Sequence, residues 1–205
     1  MTVCKKCRRA GMKLFLKGER CDLPVCSVTK RNYPPGQHGS KSKGRLTDYG
    51  MQLRVKQKLK HTYGIREKQL KNYFNKAKNK KGDLGEIILQ ELELRLDNVV
   101  YRSGLADSRR QARQIVSHGL LEISSKSVDI PSYQVKQGTE IKIKESKLQK
   151  PFLKEKFQKL KKQKSSVDWI NLDIKNGIIK IIDIPSKNEI KGDRDIGLVI
   201  EYYSR

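Results

Sequence analysis

A chain of 205 residues suits one or two domains. A hydrophobic share of 36% and a mean hydropathy of -0.73 exclude one large core and favour small cores joined by polar helices. Lys and Arg number 46 against 22 Asp and Glu, a net charge of +24 with a pI near 10.0. Self-repulsion at that charge disfavours a compact chain in isolation, and a polyanion relieves it by counterion release. RNA or DNA is therefore the leading partner, and an anionic membrane surface a weak third. No segment approaches the roughly 20 apolar residues that span a bilayer. No apolar N-terminal stretch marks a signal peptide. An intracellular compartment with reduced thiols is expected.

Cys4, Cys7, Cys21 and Cys26 come first, as C-x2-C-x13-C-x4-C. A tight first pair and a second pair beyond a long loop suit Zn²⁺ held by four thiolates, which leaves no open position for catalysis. Two disulfides or inert thiols are the competing reading, and an iron–sulfur cluster is compatible with the same ligands. Between the pairs, Lys13, Lys17 and Arg20 surround an apolar centre at Leu14–Leu16. Tyr33-Pro34-Pro35-Gly36-Gln37-His38-Gly39 follows, extended and rich in turns. Tyr33 and His38 suit stacking on bases, and Lys30, Arg31, Lys41 and Lys43 suit phosphates. The segment reads as a tail that its partner orders.

Asp48 to Lys81 is expected to be helical and basic, broken at Gly64. Met51, Val55 and Leu59 form the inward stripe before the break; Ile65, Leu70, Tyr73, Phe74 and Ala77 form the one after it. Arg54, Lys56, Lys58 and Lys60 take the outer faces, and the cationic excess goes beyond what solubility requires. Asp83 is placed to cap a third helix bearing Glu86, Glu91 and Glu93.

The central stretch runs from Arg95 to Ser146. A short helix ends at Gly104. A second starts with a capping box at Ser108 and Gln111. Ala112, Ile115 and Val116 face inward, and Arg110, Arg113, Gln114 and Ser117 share the opposite face. Leu121 and Ile123, Val128 and Ile130, then Val135, Ile141 and Ile143 alternate as strands. A lysine-rich helix over 147–164 puts Leu153, Phe157 and Leu160 on one face. Strands at 167–174 and 178–184 are joined by Asn176-Gly177, a favoured type I′ turn. Trp169 is a core residue. A loop over 185–195 leads to a short final helix with Ile196, Val199, Ile200 and Tyr203, weakened by Gly197.

Several stretches are specific in combination. They are Leu14-Phe15-Leu16-Lys17-Gly18-Glu19-Arg20-Cys21, Tyr33 to Gly39 and Arg95-Leu96-Asp97-Asn98-Val99-Val100-Tyr101-Arg102. With them come Ser108-Arg109-x-x-Ala112-Arg113, Val116-Ser117-His118-Gly119, Ile130-Pro131-Ser132-Tyr133 and the terminal Glu201-Tyr202-Tyr203-Ser204-Arg205. In this order they resemble the bacterial-type small-subunit ribosomal protein four family over nearly the whole chain. The resemblance implies an α+β fold. A four-cysteine (Cys4) metal-binding segment is expected over 1–44, and a basic helical domain over 45–94, joined by the C-terminal helix 195–205. An RNA-binding domain spans 95–194, with its two-helix-plus-sheet module at 95–146. It implies a structural constituent of the small subunit that binds the 5′ domain of the rRNA and nucleates assembly. It also implies contact with ribosomal proteins three and five where mRNA enters, and influence on translational accuracy. Some members repress their own mRNA. Cytoplasmic or organellar ribosomes both fit.

The RNA-facing residues expected on these grounds are Lys13, Lys17, Arg20, Tyr33, Gln37, His38, Lys41, Lys43, Arg45, Arg54, Lys56, Lys58, Lys60, Arg66, Arg109, Arg110, Arg113, Gln114, Ser117 and His118. Three departures from the family pattern stand out. Ser124-Ser125 replaces Asn-Gly, which predicts a longer or strained turn. Asp195-Ile196-Gly197 replaces Asn-Glu-Gln at the final helix, and the chain starts a few residues earlier in the motif. Pseudouridine synthases share the module and carry a catalytic Asp in Arg-Leu-Asp. Here Asn98-Val99-Val100 follows Asp97 in place of their Thr-Ser-Gly, so Asp97 is expected to cap its helix. A stand-alone RNA chaperone or stalled-ribosome factor using the module is the other competitor, though such proteins are shorter and lack the cysteine and Tyr-Pro-Pro-Gly segments.

Overall fold

The computed structural model describes residues 3–41, 44–160, 167–174, 176–186, 190 and 195–205. Its packing divides into two units, Met1–Ile88 with Gly192–Arg205, and Leu89–Lys191.

The first unit opens with α1 (Val3–Ala10), a 3₁₀ turn (Gly18–Cys21) and α2 (Ser27–Lys30). Cys7, Leu14 and Leu16 form a small core with Val3, Ala10 and Val28 against it. The Tyr33–Gly39 stretch is turn, as its prolines and glycines require. Within the chain, Arg8 of α1 ties down the start of this stretch. Arg8 Nε donates to Tyr33 O at 2.9 Å, and Arg8 Nη2 to Pro34 O at 3.2 Å. A Cβ at Gly39 would stand 1.9 Å from Pro34 O, so glycine alone permits this close return.

α3 (Asp48–Tyr63) starts where Thr47 Oγ1 accepts from Gly50 N at 3.2 Å, and it stops at Gly64 in the left-handed region. α4 (Glu67–Lys78) follows, and the chain's last helix, α10 (Ile196–Ser204), packs on both. Ile65, Leu70, Tyr73, Phe74 and Ala77 are buried as the spacing predicted. The inward stripe of α3 is not the predicted one. Met51 is exposed and Val55 half-buried, whereas Gln52, Lys56, Leu59 and Tyr63 face in. The reason is polar: α10 presents acceptors and rings that pair with Gln52 and Lys56, so the helix rotates toward them. Asp83 caps α5 (Leu84–Glu93), its Oδ1 accepting from Gly85 N at 2.9 Å. A Cβ at Gly85 would meet Ile196 Cγ2 at 2.8 Å, so glycine lets α10 close on this turn.

The second unit contains α6 (Leu96–Arg102), α7 (Arg109–Ser117), β1 (Leu121–Ile123), β2 (Lys126–Val128) and β3 (Glu140–Ile143). After them come α8 (Glu145–Leu148), α9 (Pro151–Leu160), β4 (Ile170–Asp173) and β5 (Ile178–Ile181). The strands form one antiparallel sheet in the order β2-β1-β3-β5-β4. One core joins Leu96, Val99 and Val100 to Ala112, Ile115 and Val116, to the sheet's Leu121, Ile141 and Ile179, and to Leu153 and Trp169. Each large aliphatic buried this way contributes about 1.5–3 kcal/mol. Ile130 lies outside the strands and is exposed.

Both hairpins refine the predicted turns. Ile123 pairs with Lys126, so Ser124-Ser125 is a two-residue turn, with φ of +50 and +63. Both serines take the left-handed conformation that glycine and asparagine occupy more cheaply. At the second hairpin Asp173 pairs with Ile178, so the connection is four residues long and not the two-residue type I′ turn. Asn176 Nδ2 donates to Asp173 Oδ2 at 2.6 Å, an Asx-type closure. Of the predicted 147–164 helix, residues 161–164 lie outside the described residues, as does most of the 185–195 loop.

Candidate nucleic-acid interface

In the second unit, α7 carries the polar row. Ser108 Oγ accepts from Gln111 N at 3.3 Å and fixes the helix start. Gln111 Oε1 reaches back to Asp107 N at 2.8 Å, one residue earlier than a strict capping box. Ala112, Ile115 and Val116 anchor the inner face, which leaves Arg110, Arg113, Gln114, Ser117 and His118 exposed together. These are donors on a rigid helix, suited to phosphate oxygens and groove edges.

Arg109 departs from the row. Its Nε donates to Asn98 Oδ1 at 2.7 Å and its guanidinium lies 4.6 Å from the Tyr101 ring centroid. Beneath it is a buried polar network. Glu93 accepts from Arg102 Nε at 2.8 Å and Nη2 at 2.7 Å, and from Asn98 Nδ2 at 2.7 Å. Arg109 Nη2 stands 3.9 Å from the same carboxylate. Beside it Arg95 makes a two-pronged pair with Asp97, Nε to Oδ1 at 3.0 Å and Nη2 to Oδ2 at 2.6 Å. Asp97 therefore holds Arg95 in the core; the N-cap of α6 is Arg95, so the expectation that Asp97 caps the helix is corrected. Glu93 thus pairs with arginine, Arg102 at 2.7 Å and Arg109 at 3.9 Å. Arg109 is a supporting residue for α7, because a guanidinium that binds inward offers little to a ligand.

The lysines of α3 divide similarly. Lys56 is buried, 2.6 Å from Glu67 and with Nζ 4.0 Å from the Tyr202 ring centroid. Burial favours its neutral form, but Glu67 and Tyr202 outweigh that and raise its pKa. Lys60 Nζ also reaches Glu67, at 3.0 Å, as does Tyr203 Oη at 2.7 Å. Burial would raise the Glu67 carboxyl; hydrogen bonds from Lys56, Tyr203 and Lys60 bring it down to about 2. Gln52 Nε2 adds a bond to Glu201 Oε2 at 2.9 Å. Lys58 lies 3.7 Å from Asp195. Lys56, Lys58 and Lys60, expected to face RNA, thus join α3 to the residues around α10. The sequence signal for Glu67 and Tyr203 was absent, since they stand 136 residues apart.

Lys17, Arg20, Tyr33, Gln37, His38, Lys41, Arg45, Arg54 and Arg66 are exposed and Lys13 is half-buried; Lys43 lies outside the described residues. Tyr33, Arg45 and Arg54 border an open groove of about 1060 Å³ between α1, the Tyr33 turn and α3. Lys6, Arg8, Arg9, Leu46 and Met51 also line it and were missed. The signal available was the doublets Lys5-Lys6 and Arg8-Arg9 around Cys7. His61 borders the groove too; burial, then Lys6 and Lys60, depress its pKa, so it is neutral at pH 7.

Among the described residues no group of three or more His, Cys, Asp or Glu stands at metal-holding separation, and all four cysteines are free thiols. Their surroundings differ from one cysteine to the next. Lys17 N donates to Cys21 Sγ at 3.4 Å. Burial opposes ionisation of Cys26, but amides of Val28 and Thr29 at the start of α2, and Lys13, lower its pKa. Burial raises the Cys7 thiol; Cys21, Cys4 and Cys26 are all near enough to raise it further, against one backbone hydrogen bond at Leu14. Four cysteines are the donor type a thiolate metal site takes, but they form no metal-holding cluster among the described residues, so the expected Cys4, Cys7, Cys21 and Cys26 site is not seen assembled.

A sequence profile for the Ribosomal protein S4/S9 N-terminal domain matches residues 2–93, and one for the S4 domain matches residues 94–141. Small ribosomal subunit protein uS4 of Thermus thermophilus is 46% identical over 203 residues, 99% of this chain and 97% of that protein. The chain belongs to the uS4 family. The uS4 proteins of Thermodesulfovibrio yellowstonii and Caldicellulosiruptor saccharolyticus are 45% and 47% identical, over 97% and 96% of their lengths. uS4 is a structural ribosomal family, so the pseudouridine synthase reading of Arg95-Leu96-Asp97 falls. Among the described residues no helix is long and apolar enough to cross a membrane.

Proposed function

We propose that this uS4 chain is a primary binder of the 5′ domain of small-subunit rRNA in a bacterial cytoplasm, and that it nucleates subunit assembly. In this reading it neighbours ribosomal proteins three and five where mRNA enters, and so influences decoding accuracy. The observation that carries it is full-length family identity combined with a net charge of +24 and a rigid exposed row on α7. Rigid cationic surfaces suit folded RNA, which is recognised by shape and phosphate position. Filter binding of the full chain to a 5′-domain transcript tests the row. Arg113→Ala is expected to lower the salt slope by about one. An unchanged slope assigns Arg113 to structure.

Cys4, Cys7, Cys21 and Cys26 are proposed to hold one Zn²⁺, with an iron–sulfur cluster as the alternative. The ion would be a structural cross-link holding α1, the 3₁₀ turn and α2 together. Metal analysis of freshly reduced protein is expected to find one equivalent, lost in Cys4→Ser/Cys7→Ser. Metal-free protein at full RNA affinity would refute the site.

A further inference from the structure

We propose that the groove between α1, the Tyr33 turn and α3 seats a short run of unpaired nucleotides of the bound RNA, bases on an apolar shelf and phosphates on a cationic rim. This rests on the RNA-binding reading above and adds a preference that phosphate contacts alone do not give.

Charge is the first argument. Lys6, Arg8, Arg9, Arg45 and Arg54 line the groove, with no Asp or Glu among its described lining residues. That lining favours a polyanion over an acidic–basic protein surface. The second argument is what lies between the cations. Tyr33, Leu46 and Met51 are 37%, 44% and 45% exposed and share this groove, in a chain with few apolar residues to spare. An uninterrupted duplex offers phosphates and sugars to such a shelf and keeps its base faces stacked inside. Unpaired bases present an apolar π-face, which stacks on aromatic and apolar side chains whatever the base.

Pre-organisation is the third. The Arg8 guanidinium lies 4.7 Å from the Tyr33 ring centroid while its donors hold the Tyr33 and Pro34 carbonyls. Arg54 Nη2 ties α3 to Ala10 O at 3.2 Å. Both walls are therefore fixed by arginines before any ligand arrives, which lowers the ordering cost of binding. The volume of about 1060 Å³ matches the top of the range for small-molecule sites, roughly 300–1,000 Å³, and is ample for a few nucleotides.

The test uses the full chain and two RNA hairpins with identical stems, one carrying a three-uridine bulge, titrated by fluorescence anisotropy at equal ionic strength. The bulged hairpin is expected to bind about tenfold tighter, the scale of one or two base stacks. Tyr33→Ala/Met51→Ala, both on exposed side chains, is expected to remove most of that preference, bringing the two hairpins to within about twofold of each other. Arg9→Ala is expected to weaken both hairpins alike and lower both salt slopes by about one. A wild-type cross-link from 4-thiouridine in the bulge to Tyr33 or Met51 supports the seat without any substitution. Equal affinity for the two hairpins, or a cross-link confined to α7, overturns the seat and hands the groove to a protein neighbour. Failure to bind a 5′-domain rRNA transcript, titrated alongside, instead overturns the RNA-binding reading itself.

Discussion

Replacing Glu93 by Gln probes the buried network that supports α7. The carboxylate is 1% exposed and receives three hydrogen bonds from Arg102 and Asn98, with Arg109 close by. Glutamine keeps the shape but removes the charge and turns an N–H₂ group toward a guanidinium. Breaking a buried ion pair from one side costs about 3–5 kcal/mol, because the remaining charge is stranded. The Arg102 side chain retains 19% exposure and some water, which points to the low end, about 3 kcal/mol. For a unit of this size that is a fall in Tm of roughly 12–24 °C. Trp169, the sole tryptophan, is buried in the same unit's core, so its fluorescence reports that melt. In the Glu93→Gln background, Arg102→Met is expected to cost less than in the wild type, since the partners act as a unit. A Tm within about 4 °C of wild type, equivalent to about 1 kcal/mol or less, would show that the network contributes little.

Other substitutions follow from the same geometry. Glu67→Gln is expected to loosen α10. A carboxyl lowered from 4.5 to about 2 is worth about 3 kcal/mol unscreened, and 44% side-chain exposure reduces this to about 1 kcal/mol. The folded carboxyl titrates below the unfolded one, so this stabilisation is complete above about pH 4.5 and is lost as the pH falls toward 2. Proteolysis of the C-terminus across pH 2–5 should show that dependence in wild type and lack it in Glu67→Gln; equal profiles would argue against the latch. Ser125→Gly relieves a φ of +63 and should raise stability by about 0.5–1 kcal/mol, read by the Trp169 melt. A lower Tm would mean the serine side chain contributes more than its backbone strain costs.

Much of the fold was legible because its signals are local. Capping at Ser108, stops at Gly64 and Gly104, and the apolar stripes of α4 and α7 all involve residues within a few positions of each other. The α3 stripe was misplaced because distant residues decided it: Glu67 and α10 reward a buried Lys56 that periodicity assigns to solvent. Arg109 looked like its neighbours Arg110 and Arg113, and only the fold brings Asn98 and Glu93 beneath it. The second hairpin ran longer than Asn-Gly suggested because Asp173 captures Asn176. The groove escaped notice for a similar reason, since its cations and apolar shelf come from three separate stretches.

The account turns on a cationic surface shaped to one folded transcript. Competition binding measures this: the full chain against a labelled 5′-domain rRNA transcript, challenged with an unrelated duplex of equal length at constant ionic strength. The account predicts that the transcript binds at least about 10³-fold tighter than the duplex, the margin that separates specific from purely electrostatic association. Comparable affinities would contradict it.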